Sequence, residues 1–155
     1  MNFDTAGLEI IFPVHPIPLD VFLKRHPSDS DCAEGYYLIN RKWTEVDYDF
    51  WEDNWTIITA LNAVGFHYYS PSFLVAGLLK DFELCRDSVL SIMDTSGDTN
   101  IFTDFLIERL SKFDEKQFSF IFKWLESVKS LDPDVDSNRL IRANRTLSIF
   151  KCSSK

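Results

Sequence analysis

Phe66-His67-Tyr68-Tyr69-Ser70-Pro71-Ser72-Phe73-Leu74-Val75-Ala76-Gly77-Leu78-Leu79 joins an aromatic cluster to the longest apolar run of the chain. Ser70 is a good helix N-cap, because its hydroxyl can accept an orphan N–H of the first turn. Pro71 suits the first helical position, where a missing N–H costs nothing. From there Leu74, Leu78, Phe82, Cys85, Val89 and Ile92 recur at steps of three or four residues. That is the stripe of one helix, or of two in succession, facing a core. Gly77 interrupts the run at a cost of about 1 kcal/mol against Ala in an exposed helix, so a neighbouring element is expected to cross there closely. The stretch predicts a mainly α-helical fold.

The rest of the composition agrees. A chain of 155 residues fits one domain, here 1–155, folded as a compact set of about five to seven helices. Fourteen Phe and four Trp supply an ample core, since a buried aromatic removes roughly 150–250 Å² from water. No apolar run reaches the ~18 residues that would span a bilayer. Asp4 and Glu9 precede the first basic residue, Lys24, which is unlike a secretory signal, so a cytoplasmic location is expected. Cys32, Cys85 and Cys152 are odd in number and far apart. Reduced, buried thiols fit that pattern better than a disulfide.

Outward from the opening stretch, residues 4–12 read as a short helix capped by Asp4 or Thr5 and ended before Pro13. Pro13, Pro16 and Pro18 make residues 13–18 an extended strap. Leu19 to Arg25 suits one or two helical turns, and residues 26–31 read as a loop. Asp31 is placed to cap a helix from Cys32 to about Arg41, with a strand as the alternative because of Tyr36 and Tyr37. Ile57, Ile58 and Leu61 lead to Gly65, a candidate helix terminator. Residues 94–100 read as a turn, followed by a helix from Ile101 to Lys112. Asp114 and Gln117 then match a capping box, with Phe113 and Phe118 as its hydrophobic staple. The next helix is apolar on two sides, one through Phe118, Ile121, Phe122, Leu125 and Val128, the other through Phe120 and Trp124. Such a helix is central or lies under a partner. After Asp132-Pro133 a last helix, about 137–150, carries Arg139, Arg142 and Arg145.

Several segments together resemble an uncharacterised bacterial domain-of-unknown-function family. Phe66 to Leu74 is similar to its signature, approximately Phe-x-Tyr-Tyr-Leu-Pro-Ala-Tyr/Phe-Leu. Ser70 and Ser72 stand where that signature has Leu and Ala. Ile10-Ile11-Phe12-Pro13 resembles the family's opening, and Trp43-Thr44-Glu45-Val46 its Trp-x-x-Leu segment. Phe113 to Gln117 with Phe122, Trp124 and Leu125 resembles its closing helix. The resemblance runs from about residue 8 to 129 and implies a fold neighbourhood without an activity.

Function has to be argued from side chains. Residues 1–108 hold 18 acidic and 6 basic side chains, whereas residues 109–155 hold 6 and 10. An acidic body repels phosphates and speaks against nucleic-acid binding, an idea that only the basic tail keeps open. There is no Gly-rich phosphate loop. His15, His26 and His67 have neither each other nor a cysteine at metal-ligand spacing, so no metal or other cofactor is expected. His67 suits a general base, although a histidine among aromatics is more often a structural hydrogen-bonder. Cys85 lies on the apolar stripe, which favours burial over nucleophilic chemistry.

Residues 43–55, Trp-Thr-Glu-Val-Asp-Tyr-Asp-Phe-Trp-Glu-Asp-Asn-Trp, set five carboxylates among five aromatics without a cation. On a continuous helix Trp51 and Trp55 share a face, with Asp49, Glu52 and Asp53 elsewhere. Calcium loops need a Gly at the bend, which is missing here. One reading is a solvated acidic face over buried aromatics. The other is a partner-binding surface made of Asp47, Asp49, Trp51, Glu52, Asp53 and Trp55, in which charge steers a basic protein and aromatics anchor it. Small acidic bacterial proteins that block nucleic-acid-cleaving toxins have this size and charge, so an immunity-type inhibitor without catalysis is the leading expectation. The competing expectations are a small enzyme or ligand binder with a pocket around His67, Tyr68 and Tyr69, and a structural subunit of a larger assembly.

Overall fold

The computed structural model describes residues 7–23, 34–94 and 104–153. Among them are eight α-helices: α1 Leu8–Ile11, α2 Tyr48–Asp53, α3 Ile57–Ala60, α4 Ala63–Ala76, α5 Glu83–Met93, α6 Asp104–Leu110, α7 Glu115–Leu131 and α8 Ser137–Ser153. Single 3-10 turns occupy Tyr36–Leu38 and Trp43–Glu45. No β-strand forms among the described residues; Phe22 and Leu61 make one isolated antiparallel bridge.

The opening stretch is the centre of the molecule. Every residue of α4 from Gly65 onward is buried except His67, the mark of a helix surrounded on all sides. Helices α2, α5 and α6 and the 43–45 turn pack around it, while α8 lies across α5 and α7. Trp124 of α7 is fully buried and donates its Nε1–H to the Leu74 carbonyl at 2.6 Å. Phe118, Phe120, Ile121, Leu125 and Val128 are buried on the same helix, so its two apolar sides face the core; Phe122 is half-buried, with Lys151 Nζ 5.7 Å from its ring.

The start of α4 differs from expectation. Ser70 and Pro71 lie inside the helix, which begins at Asn62, whose side chain accepts the Gly65 N–H at 2.8 Å. A proline at 71 removes the hydrogen bond that residue 71 would donate to the carbonyl of residue 67. Ser70 Oγ donates to that same His67 carbonyl at 2.8 Å. The Ser-Pro pair therefore mends a helix interior. Gly65 likewise does not terminate a helix. A Cβ there would stand 2.3 Å from the Val21 carbonyl oxygen, so glycine lets residues 20–23 lie directly on the helix start. That segment is extended, not helical: Leu23 N–H donates to Ala60 O and Asn62 N–H to Val21 O, both at 2.9 Å.

Gly77 is the C-cap of α4. A Cβ there would meet the Trp124 ring at 3.3 Å and the Arg86 Cα at 3.4 Å, the close crossing expected of it. The stripe from Leu74 to Ile92 is split between α4 and α5 by a turn at 77–82. The capping box forms as read, with Gln117 N–H donating to Asp114 Oδ1 at 2.9 Å and Asp114 N–H to Gln117 Oε1 at 3.0 Å. Phe113 and Phe118 stand 5.9 Å apart between ring centroids as its staple.

At the N-terminal side, α1 ends at Ile11 before Pro13, and residues 13–18 run as the expected strap. The proposed caps Asp4 and Thr5, the 26–31 loop with Asp31, the turn at 95–100 and the first residues of the 101–112 helix lie outside the described residues. The helix expected to reach Arg41 ends in the 3-10 turn at Leu38, followed by Asn40 with a positive φ of 58°. Asn is among the residues that tolerate this left-handed conformation, which stops a helix.

Candidate functional site

The acidic-aromatic stretch is not one helix. The 3-10 turn at Trp43–Glu45 gives way to an extended Val46, and α2 runs only over Tyr48–Asp53. Because the helix stops before Asn54, Trp51 and Trp55 do not share a face. Trp51 is fully buried and donates its Nε1–H to Ser72 Oγ on α4 at 2.8 Å. Its ring meets Phe73 edge-on at 5.5 Å. Trp51 is thus a core residue with no surface to offer a partner. Trp55, by contrast, is 39% exposed.

Glu52 also has an internal duty. Phe82, the N-cap of α5, has no side chain able to cap, and Glu52 supplies the acceptor from 32 residues away. Its Oε1 takes the Leu84 N–H at 3.1 Å and its Oε2 the Cys85 N–H at 2.8 Å. A carboxylate at a helix N-terminus is favoured both by the unpaired N–H groups and by the helix dipole.

The remaining members face outward. Asp47, Asp49 and Asp53 are exposed. Asp47 Oδ2 accepts the Tyr37 hydroxyl at 3.1 Å. Tyr37 stacks on Phe50 with 4.5 Å between centroids, and its other neighbour is the Arg41 guanidinium, 4.0 Å from the ring centre. These groups border a surface concavity of about 460 Å³ lined by Tyr37, Tyr48 and Phe50, by Leu79 and Phe82 from the turn after α4, and by Asp47 and Asp49. Burial of the Tyr48 ring pushes its hydroxyl pKa up. Ser88 Oγ donates to the Trp55 carbonyl at 3.1 Å, which sets Trp55 beside the α5 face that carries Leu84. Tyr48, Trp55, Leu79 and Leu84 are 37–50% exposed. Tyr48 and Leu79 share the concavity with Asp47 and Asp49, while Trp55 and Leu84 lie where α2 and the segment after it meet α5. Tyr37, Leu79, Phe82 and Leu84 escaped the sequence reading; Leu79 and Leu84, both off the buried stripe, were the available signal.

His67 sits half-buried on α4 and donates Nε2–H to Gln117 Oε1 at 2.9 Å, while Gln117 Nε2 donates to the Ile11 carbonyl at 3.0 Å. It ties the central helix to the capping box and to α1. A surface concavity of about 590 Å³ beside it is lined by Ile10, Pro13, Lys112 and residues 114–117, without Tyr68 or Tyr69. Those two hydroxyls donate elsewhere, Tyr68 to Val14 O at 2.7 Å and Tyr69 to Leu38 O and Arg41 O at 2.6 and 2.9 Å. The three residues of the expected pocket therefore do not converge.

Cys85 is fully buried and free. Burial, with the Glu52 charge added, pushes its thiol pKa above the ordinary value, and the Sγ–H is engaged with the Phe73 carbonyl at 3.4 Å. The basic helix is partly neutralised within the fold. Arg142 forks onto Asp94 at 2.6 and 2.8 Å, and Arg139 reaches Asp87 at 3.0 Å. Among the described residues no group of three or more His, Cys, Asp or Glu is placed to hold a metal ion, and no helix is long and apolar enough to cross a membrane.

The family model of DUF6714, a family of unknown function, matches residues 24–147, and the chain belongs to that family. The match contains the Phe66–Leu74 stretch and the acidic-aromatic segment, and it reaches past residue 129 into α8. No curated protein and no solved structure matches the chain.

Proposed function

We propose that this DUF6714 member is a non-catalytic protein-binding domain, most specifically an immunity-type inhibitor of a basic, nucleic-acid-cleaving bacterial toxin, acting in the cytoplasm. One observation carries the reading: the exposed Tyr48 and Leu79 line one concavity together with the exposed carboxylates of Asp47 and Asp49. Contiguous exposed apolar groups rimmed by polar ones mark interaction sites. Aromatic anchors in such a site limit dissociation, and the carboxylates steer a basic partner into place. The net charge of −8 adds a long-range attraction to such a partner. Binding is favoured over catalysis because His67 and Cys85 are both engaged in holding helices together.

The experiment is a rescue assay. The product of the reading frame adjacent to that of this chain is expressed in a heterologous host, alone and together with it. The proposal expects growth arrest that co-expression relieves, and a complex of the two purified proteins. A basic nuclease that forms no complex and is not relieved would contradict the toxin-inhibitor reading.

A further inference from the structure

We propose that the concavity between α2 and the 77–82 turn receives an arginine side chain of the bound partner, in preference to a lysine. This rests on reading the same surface as a protein-binding face and adds the chemistry of its anchor. The lining alternates aromatic rings with carboxylates: Tyr37, Tyr48, Phe50 and Phe82 beside Asp47 and Asp49. Ring faces attract a cation through their quadrupole, and they attract guanidinium more often than ammonium. A guanidinium is planar and weakly hydrated, so it loses less than ammonium on leaving water and can stack and pair with a carboxylate together.

The chain already makes this contact once. Arg41 stacks on Tyr37 at 4.0 Å while its Nε–H donates to the Tyr37 carbonyl at 3.0 Å. Tyr37 is thereby filled on one side by Arg41 and on the other by Phe50. Tyr48 is the ring left over: it is 37% exposed and has no ring partner among the described residues. Asp49, next to it, is exposed and likewise has no hydrogen-bond or ion-pair partner among the described residues. Tyr48 and Asp49 thus offer a second guanidinium the stack and the carboxylate that Arg41 does not occupy.

The test uses the full chain with two probes of equal charge, hexa-arginine and hexa-lysine, followed by isothermal titration and by backbone amide NMR shifts. Hexa-arginine is expected to bind about five- to tenfold more tightly and to shift the amides of residues 47–50 and 79–82. Tyr48→Leu, which keeps an apolar group, should weaken hexa-arginine more than hexa-lysine and so remove the preference; Asp49→Asn should weaken both. Equal affinities for the two peptides, with shifts on this surface, would overturn the arginine pocket and leave the basic-partner reading standing. Absence of any shift at these amides would overturn both.

Discussion

Glu52 caps a helix to which it does not belong: its carboxylate accepts the N–H of Cys85, at 2.8 Å, and so closes the start of α5. Glu52→Gln keeps the shape and removes the charge that makes this acceptor strong. The variant should lose about 0.5–1 kcal/mol, the worth of a negative charge at a helix N-terminus. Asp49→Asn and Asp53→Asn, on the same short helix but exposed, should each change stability by less than about 0.5 kcal/mol. Urea unfolding of the three variants separates the structural carboxylate from the surface ones.

The Ser70–Pro71 pair makes a second, sharper prediction. Ser70 is fully buried, and its hydroxyl is the donor that serves the His67 carbonyl in place of the missing amide. Ser70→Ala should cost about 1–3 kcal/mol, because a buried acceptor loses its partner. In a Pro71→Ala background, residue 71 regains an N–H for that carbonyl, and the same Ser70→Ala change should cost less. A double-mutant cycle by thermal denaturation reads the difference as a coupling energy. Additive effects would mean that hydroxyl and amide do not serve the same oxygen.

Trp124 and Phe122, neighbours on α7, should behave differently. Trp124→Ala empties a fully buried site and removes the hydrogen bond to Leu74, for a loss of about 3–5 kcal/mol. Phe122 is half-buried, so Phe122→Ala should cost distinctly less. Denaturant midpoints at constant slope would show that ordering.

Alkaline stability follows from Cys85. Its folded pKa is raised by burial above the ordinary 9.0. Below pH 9 the thiol is protonated in both states and pH has no effect through it. Above pH 9 the unfolded chain releases this proton and the folded one keeps it, so stability falls as pH rises. Tyr69, raised by burial from 10.0, acts in the same direction from about one unit higher. Cys85→Ala should flatten the slope between pH 9 and 10 in urea titrations. In a Cys32→Ser, Cys152→Ser background, native Cys85 should also resist thiol reagents until the protein unfolds.

What could be read from sequence was what depends on neighbours along the chain. The Asp114–Gln117 box and the Phe113–Phe118 staple need only four and six consecutive residues, and both formed as expected. Ser70-Pro71 satisfies the same local rules for a helix start, yet Asn62 begins the helix earlier and the pair serves its interior. Gly65 looks like a terminator until the Val21 backbone is found against it. In the candidate site, periodicity placed Trp51 with Trp55 because nothing local marks the end of α2 at Asp53. The capping role of Glu52, expected instead on the partner-binding surface, could not be read, since its partners lie 32 and 33 residues away. Leu79 reaches the concavity beside Tyr48 only because the turn after α4 folds back beside α2.

The central claim is that this surface captures a basic protein. Its most direct test is the association of the chain with the adjacent-frame product, by surface plasmon resonance at low and high salt. The Asp47→Asn, Asp49→Asn, Asp53→Asn triple variant, which spares Glu52, should associate more slowly and with a shallower salt dependence. Trp55→Ala should instead speed dissociation, with a loss of about 2 kcal/mol or more in affinity. Unaltered rate constants in both variants, at both salt concentrations, would contradict the claim and leave residues 43–55 as a solvated face.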